Sequence, residues 1–267
     1  MKILLITIAI GDRYFEIYNK LFRKSQEAYA IKNGYDFKII RQVYVANGVA
    51  NGIANVLLDT VLDTKSLPSV HPDLISFQKI LVCSQEFSLQ YDYIIFIDAD
   101  ILININAPPL HSIVDFTDKI GIVDEYSQPT KELRIQLQRR NRWEDNATDY
   151  YKLAGLALST DKVFNSGLLV MQPAKHSQFL LDIYNKYFKN AIGHSRGFHY
   201  EQSCIGFELQ KENKYIILNN KWNALWAIYR NTGIESNLQK MYDNNYIIHF
   251  AGHCDYNLVP NIIMNNK

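Results

Sequence analysis

Two carboxylates one residue apart, Asp98 and Asp100, end an apolar run Ile94-Ile95-Phe96-Ile97 and lead straight into a second one, Ile101-Leu102-Ile103. Charges wedged between buried segments are costly unless something pairs with them. A turn beginning at Asp98 lets both carboxylates converge on one cation. Two hard oxygen ligands suit Mg²⁺ or Mn²⁺, and such an ion commonly also holds a substrate phosphate. His249 follows the apolar Tyr246-Ile247-Ile248 and precedes Gly252, a natural place for a third ligand once a D-x-D asks for one. The bland alternative is a polar turn at a strand end and a structural histidine; the apolar runs on both sides of the pair favour the metal.

Other polar groups have a chemistry that fits beside such a site. Asn165 and Ser166 offer an amide and a hydroxyl to sugar hydroxyls, and Gly167 permits close approach. Trp222-Asn223 sets an aromatic plane beside an amide. Lys79 lies among Ile80 and Leu81, as an ammonium that is partly buried would. Thr7, Asp12, Arg13 and Tyr14 are the polar and aromatic residues of the loop after the first strand.

The elements that must carry these groups alternate in type. Ile3–Ala9 reads as a first strand, Gly11-Asp12-Arg13 as a turn with Asp12 as N-cap, and the residues to Asn33-Gly34 as one amphipathic helix. Tyr35–Ile40 reads as the second strand. A β-α-β opening implies a right-handed crossover and a parallel sheet. Ile94–Ile97 is too short for an amphipathic helix and reads as a strand buried on both faces, so the aspartates sit at its carboxyl end, where open α/β sheets bind ligands. The sequence predicts one helix from Pro72 to Gln90, a strand over Lys119–Val123, a tight polar turn at Asn165–Gly167 feeding a buried strand, helices over 175–190 and 201–210, and a strand over Tyr215–Leu218. Residues 124–161 are charged and weakly patterned. Leu133, Ile135 and Leu137 alternate, while Leu133 and Leu137 also fit a helix, so the state of this stretch stays open. A long insertion beside a site is commonly a lid or acceptor loop. The Val-Ala-Asn-Gly repeat at 45–55 carries two turn signals and reads as an inserted hairpin.

Composition bounds the rest. The chain has 267 residues, 48% of them hydrophobic and 13% aromatic, enough for one large α/β domain. A net charge of +1 gives no global field for nucleic acid. Three cysteines, Cys83, Cys204 and Cys254, fit no zinc spacing and point to a reducing compartment, hence a cytoplasmic protein, soluble or peripheral to a membrane. Lys2–Ile10 is too short for a signal peptide or a span and is better explained as a buried strand. No G-x-G-x-x-G run or P-loop is present.

With these pieces in order, the chain resembles the GT-A glycosyltransferases, in particular the glycogenin and lipopolysaccharide galactosyltransferase group. The resemblance rests on the loop Thr7–Tyr14, Phe77-Gln78-Lys79-Ile80, Asp98-Ala99-Asp100, Asn165-Ser166-Gly167, Glu201-Gln202 and His249-Phe250-Ala251-Gly252, which together span most of the chain. It is also similar to the galactosyl- and xylosyltransferase family through the Phe-Gln-Lys-Ile piece. The resemblance implies one GT-A domain: a Rossmann-like, mostly parallel central sheet flanked by helices, with residues 1–123 as nucleotide-binding half, 124–161 as insertion or lid, and 162–267 as sugar and acceptor half. It implies Mn²⁺, or Mg²⁺, on Asp98, Asp100 and His249, bridging the diphosphate of a UDP-linked sugar. It implies donor contacts from Thr7, Ile8, Ala9, Asp12, Arg13, Tyr14, Ala99, Asn165, Ser166 and Gly252. Catalytic roles fall to Lys79 at the donor, Glu201 at the sugar hydroxyls and Gln202 beneath the anomeric carbon. The activity implied is transfer of a hexose or pentose to a saccharide acceptor with retained configuration.

Three departures stand out. The lysine that in the family follows H-F-x-G and binds the diphosphate is replaced by Asp255, which leaves His253 or an arginine to substitute. Glu201 is longer than the usual aspartate, and the stretch from Asp100 to Asn165 is longer than in glycogenin. A nucleotide-sugar or glycan-binding module without turnover is the alternative. Sugar-nucleotide synthesis would require a Gly-rich, Arg-containing loop where Ile10-Gly11-Asp12-Arg13 stands, and a dehalogenase-type phosphatase would require its D-x-D in the first strand.

Overall fold

A computed structural model describes residues 1–43, 72–112, 118–191, 193–196, 199–252 and 255–265. The Val-Ala-Asn-Gly repeat, His253 and Cys254 lie outside the described residues. Six strands form the central sheet: β1 (Ile3–Ile8), β2 (Asp36–Ile40), β3 (Tyr93–Ile97), β5 (Ile120–Asp124), β6 (Phe164–Met171) and β7 (Tyr215–Leu218), in the order β2-β1-β3-β6-β5-β7. The pairs β1–β2, β1–β3 and β5–β7 are parallel, and β6 alone runs against its neighbours. A small second sheet, β4 (Ile101–Ile103), β9 (Ile247–His249) and β8 (Ala224–Leu225), lies next to it in the chain. This is the mixed α/β single domain of the GT-A fold.

Side-chain alternation explains why the central strands read as continuous apolar runs. Leu4, Ile6, Ile94 and Phe96 join the core on one face of the sheet, and Ile3, Leu5, Ile95 and Ile97 join the core on the other. A strand covered on both faces has no polar side to alternate with. Burial of such residues, about 25 cal/mol per Å² of apolar surface, is the main force fixing the register.

Several expected elements differ. Gly11, at φ 90°, is the N-cap of helix Asp12–Leu21 instead of Asp12, and a second helix, Arg23–Asn33, takes over after a break at Phe22. The stretch from Pro72 to Gln90 is broken into two short helices and two 3₁₀ turns. Asn165–Gly167 is not a turn; it lies inside β6. The insertion resolves as helices Lys131–Asn141 and Ala147–Leu153, N-capped by Thr130 and Asn146, whose side chains accept from the N–H groups of Leu133 and Asp149. Cys83 and Cys204 are buried free thiols. No helix among the described residues is long and apolar enough to cross a membrane.

The joint between β5 and β6 is tied by Asp124, which accepts from the N–H groups of Tyr126 at 3.0 Å and Val163 at 3.2 Å. Burial pushes its carboxyl up from 3.8 to about 6, against the pull of these two bonds. The folded chain therefore holds a proton there that the unfolded chain has released between pH 4 and 6. Stability from this group is present below about pH 4 and is lost as pH rises through 6, by on the order of 3 kcal/mol. Urea unfolding of wild type and Asp124→Asn should show the variant gaining on wild type by that amount between pH 4 and 7. A difference that does not change with pH would contradict the shift.

Candidate active site

The site is assembled by chain reversals at the ends of β3, β6 and β9. After β3 the chain turns at Ala99-Asp100 and enters β4, so the two aspartates sit on the joint between the sheets. Because β6 is antiparallel to β3, its beginning lies beside the carboxyl end of β3: Ile97 pairs with Leu168, and the Asp98 N–H donates to the Gly167 carbonyl at 2.8 Å. β9 pairs Ile101 with His249, and the Phe250 N–H donates to the Asp100 carbonyl at 3.0 Å. Three segments far apart in sequence thus deliver Asp98, Asp100, His249 and Asn165–Gly167 to one place.

One ligand atom from each of Asp98, Asp100 and His249 lies within 4.8 Å of the others. His249 Nε2 is 3.3 Å from Asp100 Oδ1 and 3.7 Å from Asp98 Oδ2. Burial lowers the histidine's pKa, but Asp100 and then Asp98 overcome it, so the imidazole holds its second proton above the ordinary range. Two carboxylate oxygens and an imidazole nitrogen converging around a point form a donor set that fits Mn²⁺ or Mg²⁺.

Lys79 lies beneath this cluster, buried. Its Nζ is 3.0 Å from Asp98 Oδ1, 3.4 Å from Glu201 Oε1 and 3.2 Å from Ser166 Oγ. Burial would lower its pKa, yet Asp98 and Glu201 raise it above 10.5, so it stays an ammonium. The structure places Lys79 as the counter-ion that joins the D-x-D to Glu201. Glu201 also accepts from Ser166 Oγ at 3.1 Å, while its Oε2 is buried with no hydrogen-bond partner among the described residues. Gln202 accepts from the Ser166 N–H at 3.2 Å and donates to Tyr150 Oη at 3.0 Å and Glu125 Oε2 at 3.2 Å.

Glu125 is the residue that sequence reasoning missed. It accepts from Asn165 Nδ2 at 3.0 Å and pairs with Arg134. Burial pushes its carboxyl up, but Arg134 and the bonds from Asn165 and Gln202 pull it below the usual range, so it stays charged. The signal was present: Ile120–Val123 runs into Asp124-Glu125 just as Ile94–Ile97 runs into Asp98. Arg134 is consequently turned inward, whereas Arg139, Arg140 and Arg142 are exposed, with Arg140 donating to the Asn231 carbonyl.

Other expected residues are placed differently. Asp12 is exposed and pairs with Arg41, whose guanidinium lies 3.6 Å above the Phe15 ring. Arg13 is exposed, and Thr7 and Ala9 are fully buried. Tyr14 is close enough to Asp100 and Asp98 that they, after burial, raise its pKa. Gly252 occupies a left-handed turn after Phe250. Trp222 is no open platform: it is buried against Tyr246, ring centres 4.8 Å apart. Asp255 accepts from Trp226 Nε1 at 2.7 Å and pairs with Arg230, and its neighbour Tyr256 donates to Asp100 Oδ2 at 3.4 Å. A guanidinium is thus drawn to the segment where the family pattern has a lysine.

Residues 64–254 match the sequence model of Glycosyl transferase family 8. The chain belongs to that family. The family 8 assignment makes this protein a glycosyltransferase, akin to the galactosyltransferase and glycogenin group. Comparison with curated proteins finds no match. Among solved structures, a glycosyltransferase involved in glycosylation of the major capsid of PBCV-1 aligns over 99% of this chain and 100% of its own, at 13% identity and a TM-score of 0.60. The galactosyltransferase LgtC, solved with donor and acceptor sugar analogs, aligns over 99% of this chain and 96% of its own, at 13% identity and a TM-score of 0.55. At such identities the likeness shows the fold.

Gly167 has a particular role in this family 8 site. A Cβ there would meet His249 Cε1 at 2.4 Å and Nδ1 at 2.8 Å, so the close approach it permits is that of the histidine ring. Gly167→Ala should force the His249 ring or β6 to shift and destabilise the fold by about 1–3 kcal/mol, as overpacking does. Urea denaturation checks this, and unchanged stability would mean that the ring has room.

Proposed function

We propose that this enzyme transfers a hexose or pentose from a nucleotide sugar, UDP-linked, to a saccharide acceptor, with retention and with a divalent cation held by Asp98, Asp100 and His249. The observation that carries this reading is the convergence of those three ligand atoms at the end of β3, with Lys79 linking them to Glu201, whose buried Oε2 lacks a partner among the described residues. When bound, the cation would neutralise the charge developing on the leaving diphosphate.

The chain's own residues supply the rest. Glu201 Oε2 is the acceptor that a sugar hydroxyl would satisfy, and leaving it bare costs free energy. Lys79 sits between Glu201 and Asp98 and fixes them relative to each other. Asn165 and Ser166 line the same end of β6, and Thr7, Ile8, Ala9 and Tyr14 the end of β1, where we assign the nucleotide. We assign residues 1–123 to the nucleotide side and 162–267 to the sugar and acceptor side, with 124–161 tied to the latter through Glu125 and Tyr150.

We assign retention because, with Glu201 Oε2 taken by a sugar hydroxyl, Glu125 and Glu201 leave no carboxylate oxygen to attack the anomeric carbon. Glu125 is engaged by Arg134, Asn165 and Gln202, and Glu201 Oε1 by Lys79 and Ser166. Gln202 contributes a neutral amide oxygen held by Ser166 N–H, suited to stabilise positive charge at the anomeric carbon without attacking it.

Removing divalent ions with a chelator should abolish transfer, and Mn²⁺ should restore it; full activity in excess chelator would end the metal reading. Gln202→Ala should lower kcat by on the order of 10²-fold with a smaller change in KM. The product should keep the donor's anomeric configuration by NMR, and an inverted product would overturn the assignment of Gln202.

A further inference from the structure

An asparagine amide has a donor end and an acceptor end, and which end faces a histidine decides where that histidine carries its proton. Asn223 meets His249 Nδ1 through its Oδ1 at 3.0 Å. Both Asn223 and His249 are buried, so their partners are the protein groups around them.

The orientation of Asn223 is set by a chain of groups that cannot exchange roles. Glu125, ionised and paired with Arg134, can only accept, and Asn165 Nδ2 donates to it at 3.0 Å. The Gly167 N–H can only donate, and Asn165 Oδ1 accepts from it at 3.0 Å. Asn165 is therefore fixed at both ends. Its Oδ1 also accepts from Asn223 Nδ2 at 2.7 Å, which leaves Asn223 Oδ1 directed at the histidine. An amide oxygen only accepts, so Nδ1 must carry a proton. Gln128, also buried, holds the Asn223 backbone from behind by donating to its main-chain carbonyl at 3.0 Å and accepting from the Leu225 N–H at 3.1 Å. The absence of a side chain at Gly167 leaves the space the imidazole occupies.

We propose that Asn223, oriented by Asn165 and Glu125, is a positioning residue that keeps the proton of His249 on Nδ1 and so presents the lone pair of Nε2 to the cation site at Asp98 and Asp100. The proposal rests on the metal reading given under Proposed function. It assigns Asn165 a second task besides any contact with sugar, and it makes Glu125 the origin of the order in the site. A histidine held in the other tautomer would aim an N–H at the cation instead of a lone pair. Partners that fix a ligand's tautomer in this way are worth about 10–100-fold in metal affinity.

The test measures metal binding and proton position without an activity assay. Calorimetric Mn²⁺ titration of Asn223→Leu should show affinity about 10–100-fold weaker than wild type. Asn223→Asp, which keeps an oxygen facing Nδ1, should bind Mn²⁺ more tightly than Asn223→Leu. In ¹⁵N-histidine-labelled wild type loaded with Cd²⁺, a diamagnetic stand-in, a long-range ¹H–¹⁵N correlation should place a proton on Nδ1 of the imidazole whose signal is lost in His249→Ala. Folded Asn223→Leu with wild-type Mn²⁺ affinity, or Asn223→Asp as weak as Asn223→Leu, would overturn the relay. So would a proton on Nε2 in the Cd²⁺-loaded protein, and that spectrum decides even if Asn223→Leu does not fold. Wild type that binds no Mn²⁺ at all would instead remove the metal reading, and the relay with it.

Discussion

Four carboxylates, Asp98, Asp100, Glu125 and Glu201, converge around one site against two permanent cations, Lys79 and Arg134. Buried charge that is left unbalanced costs several kcal/mol per ion, so the arrangement is tolerable only if the cations lie directly against the carboxylates. Lys79 joins Asp98 to Glu201, while Arg134 holds Glu125, which in turn organises Asn165 and Gln202. The remaining excess sits at the D-x-D, where Asp100 and Asp98 make His249 retain a proton despite burial. A divalent cation meets the same demand with two charges. The geometry of the polar groups, from Arg134 through to His249, can be understood as the distribution of this one electrostatic load.

The sheet topology is what lets the load be shared. If β6 ran parallel to β3, Asn165–Gly167 would lie at the far end of the strand from Asp98. Its reversal brings a hydroxyl, an amide and a glycine beside the metal candidates, and the pairing of β6 with β5 brings Glu125 within reach of Asn165. The insertion contributes side chains to the site: its first helix carries Arg134, and its second carries Tyr150, which accepts from Gln202.

Much of this was legible in the sequence where burial and chemistry coincide. Asp98 and Asp100 announced themselves because apolar runs flank them, and His249 because a strand leads to it. The core strands were legible because both of their faces are buried. Asn165-Ser166-Gly167 was recognised for its chemistry and misread in form: its composition favours a turn, but packing on both faces of the sheet makes it strand. Glu125 was hidden because, although an apolar strand leads to it, it stands at the start of a charged stretch that reads as solvated; its burial shows in the pairing with Arg134, nine residues on. Asn223 could not be found by spacing, since its role depends on contacts with Asn165 and His249, 58 and 26 residues away.

The central claim is that Asp98, Asp100 and His249 form a single divalent-cation site. Anomalous diffraction from crystals grown with Mn²⁺ and UDP tests it directly. The account predicts one peak at about 2.0–2.6 Å from a carboxylate oxygen of Asp98, one of Asp100 and Nε2 of His249, the range of divalent cation–ligand distances. A peak elsewhere, or none with UDP bound in place, would contradict it.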